Sequence, residues 1–269
     1  MPNMQIEGSK ILVTGASSGI GAALAPELAA RGATVGVVAR RADRLAQVQA
    51  ECRAAGGEAS VWACDLGDLD ATRELAENVL AEWGSIDCLV NNAAIPKRVP
   101  AMSISMAEVE ETVRVNFLSP AQLTLGFMAH WLERGQGLIV NVSSMGGRMA
   151  IANEAAYNAS KFALAGWSEA LRIDLDGTGV GVKLILPGPI ATEIWDQPGN
   201  ADPLFEIDKV PASECAAEIA DAIAGDGFEY YTPPIFPGGL DAKQMVLDKT
   251  ANCDQFLAGM GAFTASLRS

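Results

Sequence analysis

Lys10-Ile11-Leu12-Val13-Thr14-Gly15-Ala16-Ser17-Ser18-Gly19-Ile20-Gly21 carries an apolar run straight into a turn with three glycines. Continuous rather than alternating hydrophobicity marks a strand buried on both faces, as in a parallel sheet covered by helices. A helix over residues 19–30 follows, and the same unit then recurs along the chain. Strands are predicted at 34–38, 59–63, 86–90, 137–142 and 182–186, with helices over 41–55, 69–83 and 157–174. Repeated strand–helix units with short connections predict an α/β fold, a doubly wound, mostly parallel sheet in a single domain spanning 1–269. Between the fourth and fifth strands lies a longer helical segment, entered at the capping box Ser105-Met106-Ala107-Glu108 and predicted to break in two at Pro120.

Composition narrows the function. No apolar run approaches the ~20 residues that a membrane helix needs. A formal net charge of −14 disfavours nucleic acid and anionic membranes, both of which attract basic stripes. The N-terminal residues lack the basic and apolar regions of a signal peptide, so a cytoplasmic protein is expected. Cys52, Cys64, Cys88, Cys215 and Cys253 are odd in number and lack metal-binding spacing, which suits isolated thiols. His130 is the only histidine and lies away from every motif, on a helical stretch over 121–134. No metal site and no histidine-based triad is expected.

Two stretches suggest chemistry. The glycine turn permits close approach of a pyrophosphate, and the next helix offers its N-terminal N–H groups to an anion. Its spacing is G-x-x-x-G-x-G rather than the usual dinucleotide G-x-G-x-x-G. The second stretch is Tyr157-Asn158-Ala159-Ser160-Lys161, where Tyr157 and Lys161 share one helix face. A phenol titrates near ~10 and serves as an acid near neutrality only if its anion is stabilised, which a nearby ammonium does. Such a pair also arises by chance on amphipathic helices, so its meaning depends on its neighbours.

Thr14-Gly-x-x-x-Gly-x-Gly21, Asn91-Asn92-Ala93-Ala94, Asn116, Ser144 and Tyr157-x-x-x-Lys161, in this order and spacing, resemble the short-chain dehydrogenase/reductase family. The match extends through Pro187-Gly188-Pro189-Ile190 and Thr192, covering roughly residues 8–195. The resemblance implies that Tyr157 exchanges a proton with the substrate oxygen while the nicotinamide exchanges a hydride with carbon. It implies that Lys161 lowers the Tyr157 pKa and bonds the nicotinamide ribose, that Ser144 bonds the substrate oxygen, and that Asn116 holds a water in a proton relay. Ser143 is the alternative to Ser144, and a structural asparagine at a helix kink is the alternative at position 116.

For the cofactor, the resemblance assigns Gly15, Ser17, Ser18, Ile20 and Gly21 to the phosphate turn, and Asp65 with Leu66 to the adenine. Asn91, Asn92, Ala93 and Ala94 would follow the ribose, although the family more often has glycine at position 94. Pro187, Gly188, Ile190 and Thr192 would line the nicotinamide end. An acidic residue at the end of the second strand binds the ribose 2′-hydroxyl of NAD, whereas arginine suits a 2′-phosphate. Here Ala39 stands where the acid is usual, followed by Arg40 and Arg41, so NADP(H) is expected over NAD(H).

The expected reaction is interconversion of a carbonyl and an alcohol by an NADP(H)-dependent oxidoreductase. A catalytically silent NAD(P)-binding protein is the rival, and the presence of Ser144, Tyr157 and Lys161 argues against it. Residues 191–225 are expected to form a substrate lid, with Trp195, Leu204, Phe205 and Ile207 either lining an apolar pocket or packing the lid down. A lipophilic small substrate fits the first reading. Residues 233–269 form a C-terminal extension without a match in the family pattern, and the resemblance implies a homodimer or homotetramer.

Overall fold

In a computed structural model, which describes residues 4–204, 206 and 208–267, the apolar runs form one sheet of seven parallel strands. These are β1 (Lys10–Thr14), β2 (Thr34–Ala39), β3 (Glu58–Ala63), β4 (Cys88–Asn91), β5 (Gly137–Val142), β6 (Val180–Pro187) and β7 (Glu229–Thr232). Their order is β3-β2-β1-β4-β5-β6-β7. The order therefore reverses between β1 and β4, where the loops leaving the two strands diverge and open a crevice at their carboxyl ends.

Why the runs are continuous is visible in β1. Ile11 and Val13 join the apolar layer on one face, and Leu12 joins the layer on the other. The first layer is closed by α1 (Gly19–Ala30), α2 (Ala42–Ala54) and α7 (Ala212–Ala224), through Leu24, Leu28, Leu45 and Ile219. The second is closed by α3 (Leu69–Trp83), α5 (Ser119–Arg134) and α6 (Ala155–Asp174), through Leu75, Val79, Phe127, Trp131 and Leu171. The predicted capping box is present at the head of α4 (Met106–Val113): Glu108 N–H donates to Ser105 Oγ, and Ser105 N–H donates to the Glu108 carboxylate.

Two expectations change. Pro120 does not break the helical segment, because a π-helical turn over Arg114–Leu118 joins α4 to α5. In that turn Ser119 N–H donates to the Arg114 carbonyl, five residues back, and this wider turn carries the helix through to Pro120 at the start of α5. Within 191–225, the expected lid, α7 packs instead as core with Cys215, Ile219 and Ile223 fully buried. What remains is an irregular segment with a short 3₁₀ turn, Glu193–Asp196, bounded by the small pairing of Ile190–Ala191 with Val210–Pro211. Phe205 and Ile207 lie outside the described residues.

The C-terminal extension folds as a hairpin, Ile235–Phe236 against Leu240–Asp241, then α8 (Ala242–Ala251) and α9 (Cys253–Ser266). Phe236 covers Gly188 so closely that a side chain at 188 would collide with its ring. The extension thereby backs the Pro187-Gly188 turn.

Candidate active site

Thr14, at the end of β1, fastens the two sides of the crevice. Its hydroxyl donates to the Val90 carbonyl at 3.2 Å and accepts from Asn92 N–H (3.0 Å) and Ala93 N–H (3.1 Å). Asn92 Nδ2 donates back to the Thr14 carbonyl at 2.9 Å. The glycine turn lies against this loop. Gly15 has φ +69°, and a Cβ there would sit 2.7 Å from Ala93 Cα. At Gly21 a Cβ would meet Asn92 Nδ2 and the Gly15 carbonyl oxygen, each at 2.6 Å. Ser18, the residue before α1, makes no side-chain cap, so the first N–H groups of the helix keep their capacity for an anion. A turn that admits no side chain and an uncapped helix N-terminus fit a pyrophosphate.

From this turn a cleft of about 720 Å³ runs past the ends of β2 and β3. Gly15, Ser17, Ser18, Ile20, Arg40 and Arg41 line it on one side. Asp65, Leu66, Asn92, Ala93, Ala94 and Thr192 complete it. Asp65 Oδ1 accepts from Gly67 N–H at 2.9 Å, which shapes the loop after β3. Asn91, by contrast, points into the core, where Nδ2 donates to Asn141 Oδ1 at 2.9 Å, so it follows no ribose. Strand alternation sends neighbouring Asn91 and Asn92 to opposite sides.

The residues expected to handle protons gather beyond β5. Ser144 Oγ accepts from Gly146 N–H at 3.0 Å, and a Cβ at Gly146 would lie 3.4 Å from both Ser144 Oγ and Tyr157 Cε1. Ser144 and Tyr157 thus flank a single small residue. Lys161 is fully enclosed, with its ammonium donating to the Val142 carbonyl at 2.9 Å and lying 5.7 Å from the centre of the Tyr157 ring. Ser143 is spoken for structurally, since its hydroxyl donates to the Lys161 carbonyl at 2.9 Å.

Asn116 sits in the π-helical turn, completely buried. Its Oδ1 accepts from Ile95 N–H (2.8 Å), and its Nδ2 donates to the Ile95 carbonyl (3.0 Å) and to Ser160 Oγ (3.1 Å). Ser160 in turn donates to the Tyr157 carbonyl at 2.7 Å. The side chain therefore braces the β4 loop against the helix that carries Tyr157, and both ends of its amide are committed to that work. Pro187 closes β6, Gly188 N–H donates to the Thr232 carbonyl at 2.9 Å, and Ile190 is buried with its carbonyl accepting from Trp195 Nε1 at 2.6 Å.

Electrostatics depart from the simple dyad. Burial pushes the Tyr157 phenol up to about 12, with Ser144 pulling against it, Glu154 pushing the same way and Arg98 opposing. Burial pushes Lys161 down to about 7. The expected lowering of the phenol by Lys161 is not what this arrangement produces, because the ammonium is itself desolvated and held by a backbone carbonyl.

Glu154 and Arg98 were not legible as site residues. Glu154 immediately precedes α6, three positions before Tyr157; it is 8% exposed, and burial raises it to about 7. Arg98, 5% exposed, donates through Nε to the Ala201 carbonyl at 3.0 Å and through Nη2 to the Trp195 carbonyl, and its guanidinium stacks 5.3 Å over the Trp195 ring. Lys209 approaches the same ring at 4.8 Å. Trp195 is thus held down by cations and hydrogen bonds, which favours packing of the segment over an open apolar wall.

Residues 9–202 match the sequence profile of the short chain dehydrogenase family. The D-threitol dehydrogenase of Mycolicibacterium smegmatis is 34% identical over 200 residues, 73% of this chain and 77% of that one. Some other relatives are matched over only 65% of their length. A metagenomic short-chain oxidoreductase solved with NADP is 32% identical at a TM-score of 0.72, covering 84% of this chain and 97% of its own. One from Burkholderia phymatum solved with NAD is 26% identical at a TM-score of 0.78, covering 86% and 91%. With the parallel sheet, the glycine turn and the Ser144–Tyr157–Lys161 cluster already in register, the chain belongs to the short-chain dehydrogenase/reductase family of oxidoreductases.

Proposed function

We propose that this chain is an NADP(H)-dependent oxidoreductase that interconverts a ketone or aldehyde and the corresponding alcohol, with Tyr157 as the acid/base. The observation that carries the reading is the convergence of Ser144 and Tyr157 on either side of Gly146, next to an enclosed Lys161. The nicotinamide, when bound, supplies or accepts the hydride. Tyr157 gives its proton to the substrate oxygen during reduction and takes it back during oxidation. Ser144 donates a hydrogen bond to the same oxygen and so stabilises the charge that develops there. Lys161, 5.7 Å from the centre of the Tyr157 ring, is placed to bond the nicotinamide ribose, and Asn116 with Ser160 holds the Tyr157 turn in place.

NADP(H) rather than NAD(H) is supported by this chain's own residues, since solved relatives carry either dinucleotide. Ala39 offers no carboxylate to a ribose hydroxyl. Arg41 reaches back to Ser17 Oγ (3.0 Å from Nη2) and Ser18 Oγ (2.9 Å), at the base of the phosphate turn. Arg40 is exposed on the cleft rim, so Arg41 is the stronger phosphate ligand of the two. Glu154 and Arg98 give the Tyr157 side of the substrate site a polar wall, which makes a wholly lipophilic substrate less fitting than one with a polar group. Assembly as a homodimer or homotetramer is supported by exposed Leu125, Leu132, Phe162 and Ile173 on α5 and α6.

Tyr157→Phe tests the core of this reading. Turnover should fall about 10²- to 10⁴-fold, the usual worth of positioned proton transfer, while NADPH binding followed by tryptophan fluorescence stays within about twofold. A variant that keeps more than a tenth of wild-type turnover would remove Tyr157 from the acid/base role.

A further inference from the structure

Arg41 and Arg44, two of the three arginines between the end of β2 and the start of α2, are both paired with one carboxylate that comes from the segment after Thr192. Arg41 Nη1 lies 3.2 Å from Glu193 Oε2, and Arg44 Nη1 makes a close pair with Glu193 Oε1. Glu193 opens the 3₁₀ turn of the segment after Thr192, some 150 positions along the chain from its partners. The remaining donors of Arg41 hold Ser17 and Ser18. All three charged side chains remain 40–44% exposed, so water screens the pairs and each is exchangeable. The Arg44 and Arg41 guanidiniums hold the Glu193 carboxyl below the usual carboxylate range, so it is an anion at neutral pH.

Two forked cations beside hydroxyl groups at a glycine turn suit a phosphate, whose oxygens match the guanidinium geometry. A phosphate monoester carries about −1.5 to −2 charges near pH 7. Together with Glu193 it would outweigh the two arginines, and the anions would repel each other at short range. A 2′-hydroxyl brings no such conflict, and the carboxylate can stay where it is.

Building on the NADP(H) reading, we propose that Glu193 is an internal counter-anion that occupies the Arg41–Arg44 site in competition with the 2′-phosphate of NADP(H), and thereby sets the preference between the two dinucleotides. Entry of the phosphate requires the Glu193–Asp196 turn to give way. Glu193 is a specificity-determining residue and takes no part in proton or hydride transfer.

Binding of adenosine 2′,5′-bisphosphate, 5′-AMP, NADPH and NADH to the full chain, measured by titration calorimetry, tests this in wild type, Glu193→Gln and Arg41→Ala. Glu193→Gln should tighten the bisphosphate and NADPH about three- to thirtyfold, the scale of two exposed ion pairs, and leave 5′-AMP and NADH within about twofold. In an Arg41→Ala, Arg44→Ala background the same change should have no effect. Unchanged or weaker bisphosphate binding in Glu193→Gln, alongside selective weakening in Arg41→Ala, would overturn the role of Glu193 and keep the NADP(H) reading. A wild type that prefers NADH, with no selective response to Arg41→Ala, would overturn both.

Discussion

The glycine turn and the segment after Thr192 face each other across the same cleft, yet they are held by different physics. The turn is fixed by neutral hydrogen bonds: the Thr14 hydroxyl and the Asn92 amide bond to backbone across β1 and β4, and glycines at 15 and 21 let the loops touch. The segment after Thr192 is fixed by side-chain charge, through Arg98 on Trp195 and Ala201 and through Arg41 and Arg44 on Glu193. Sheet-anchored contacts are cooperative with the core and change only if the fold changes. The Glu193 pairs lie at a wet surface, where charge contacts are worth little individually and exchange readily, whereas Arg98 is 5% exposed. An enzyme of this family that must bind a dinucleotide rigidly and still admit it needs one wall of each kind.

Substitutions can break that contrast, the largest effect coming from the turn. Gly21→Ala would force a methyl into the Gly15 carbonyl and the Asn92 amide, and should cost about 3 kcal/mol or more of stability and abolish dinucleotide binding. Thermal denaturation and NADPH titration read the two effects, and a variant that melts and binds like wild type would mean that the two loops are not locked.

Glu154→Gln should act through pH. Glu154 is raised from 4.5 to about 7, so the unfolded chain loses that proton first as pH rises. The stability associated with its protonated form is complete below about 4.5 and lost by about 7. The glutamine variant should therefore gain up to about 3 kcal/mol at pH 8 and nothing at pH 4. Denaturant melts at the two pH values decide it, and an equal gain at both would place the cause in packing rather than ionisation. A smaller and local change is expected from Arg98→Met. Global stability should move by about 1 kcal/mol, while amide hydrogen exchange over residues 195–201 quickens at least tenfold. Exchange slowing only with global unfolding would show that this wall, too, belongs to the core.

How much could be read beforehand follows the same division. Strand positions are legible because burial on both faces leaves unbroken apolar runs, and the glycine turn and the Asn92–Ala94 loop are legible as neighbours because the sheet order sets β1 beside β4. Arg41 over Arg40 as the residue touching the glycine turn was not readable, since adjacent residues leave a strand end in different directions. That Asn91 turns into the core while Asn92 meets Thr14 is hidden from the sequence for the same reason. Pro120 reads locally as a helix breaker, and only the preceding π-helical turn carries the helix through to it.

By itself the sequence determined the parallel sheet, the glycine turn, the capping box and the alignment of Tyr157 with Lys161, all of which depend on short-range spacing and on which residues avoid water. Tertiary structure alone decided that Glu193 meets Arg41 and Arg44 and that Arg98 clamps Trp195. It also decided that Glu154 is buried and that Lys161 meets a carbonyl before it meets Tyr157. These contacts join residues far apart in the chain or fix how much water each charge keeps, and neither quantity is carried by local pattern.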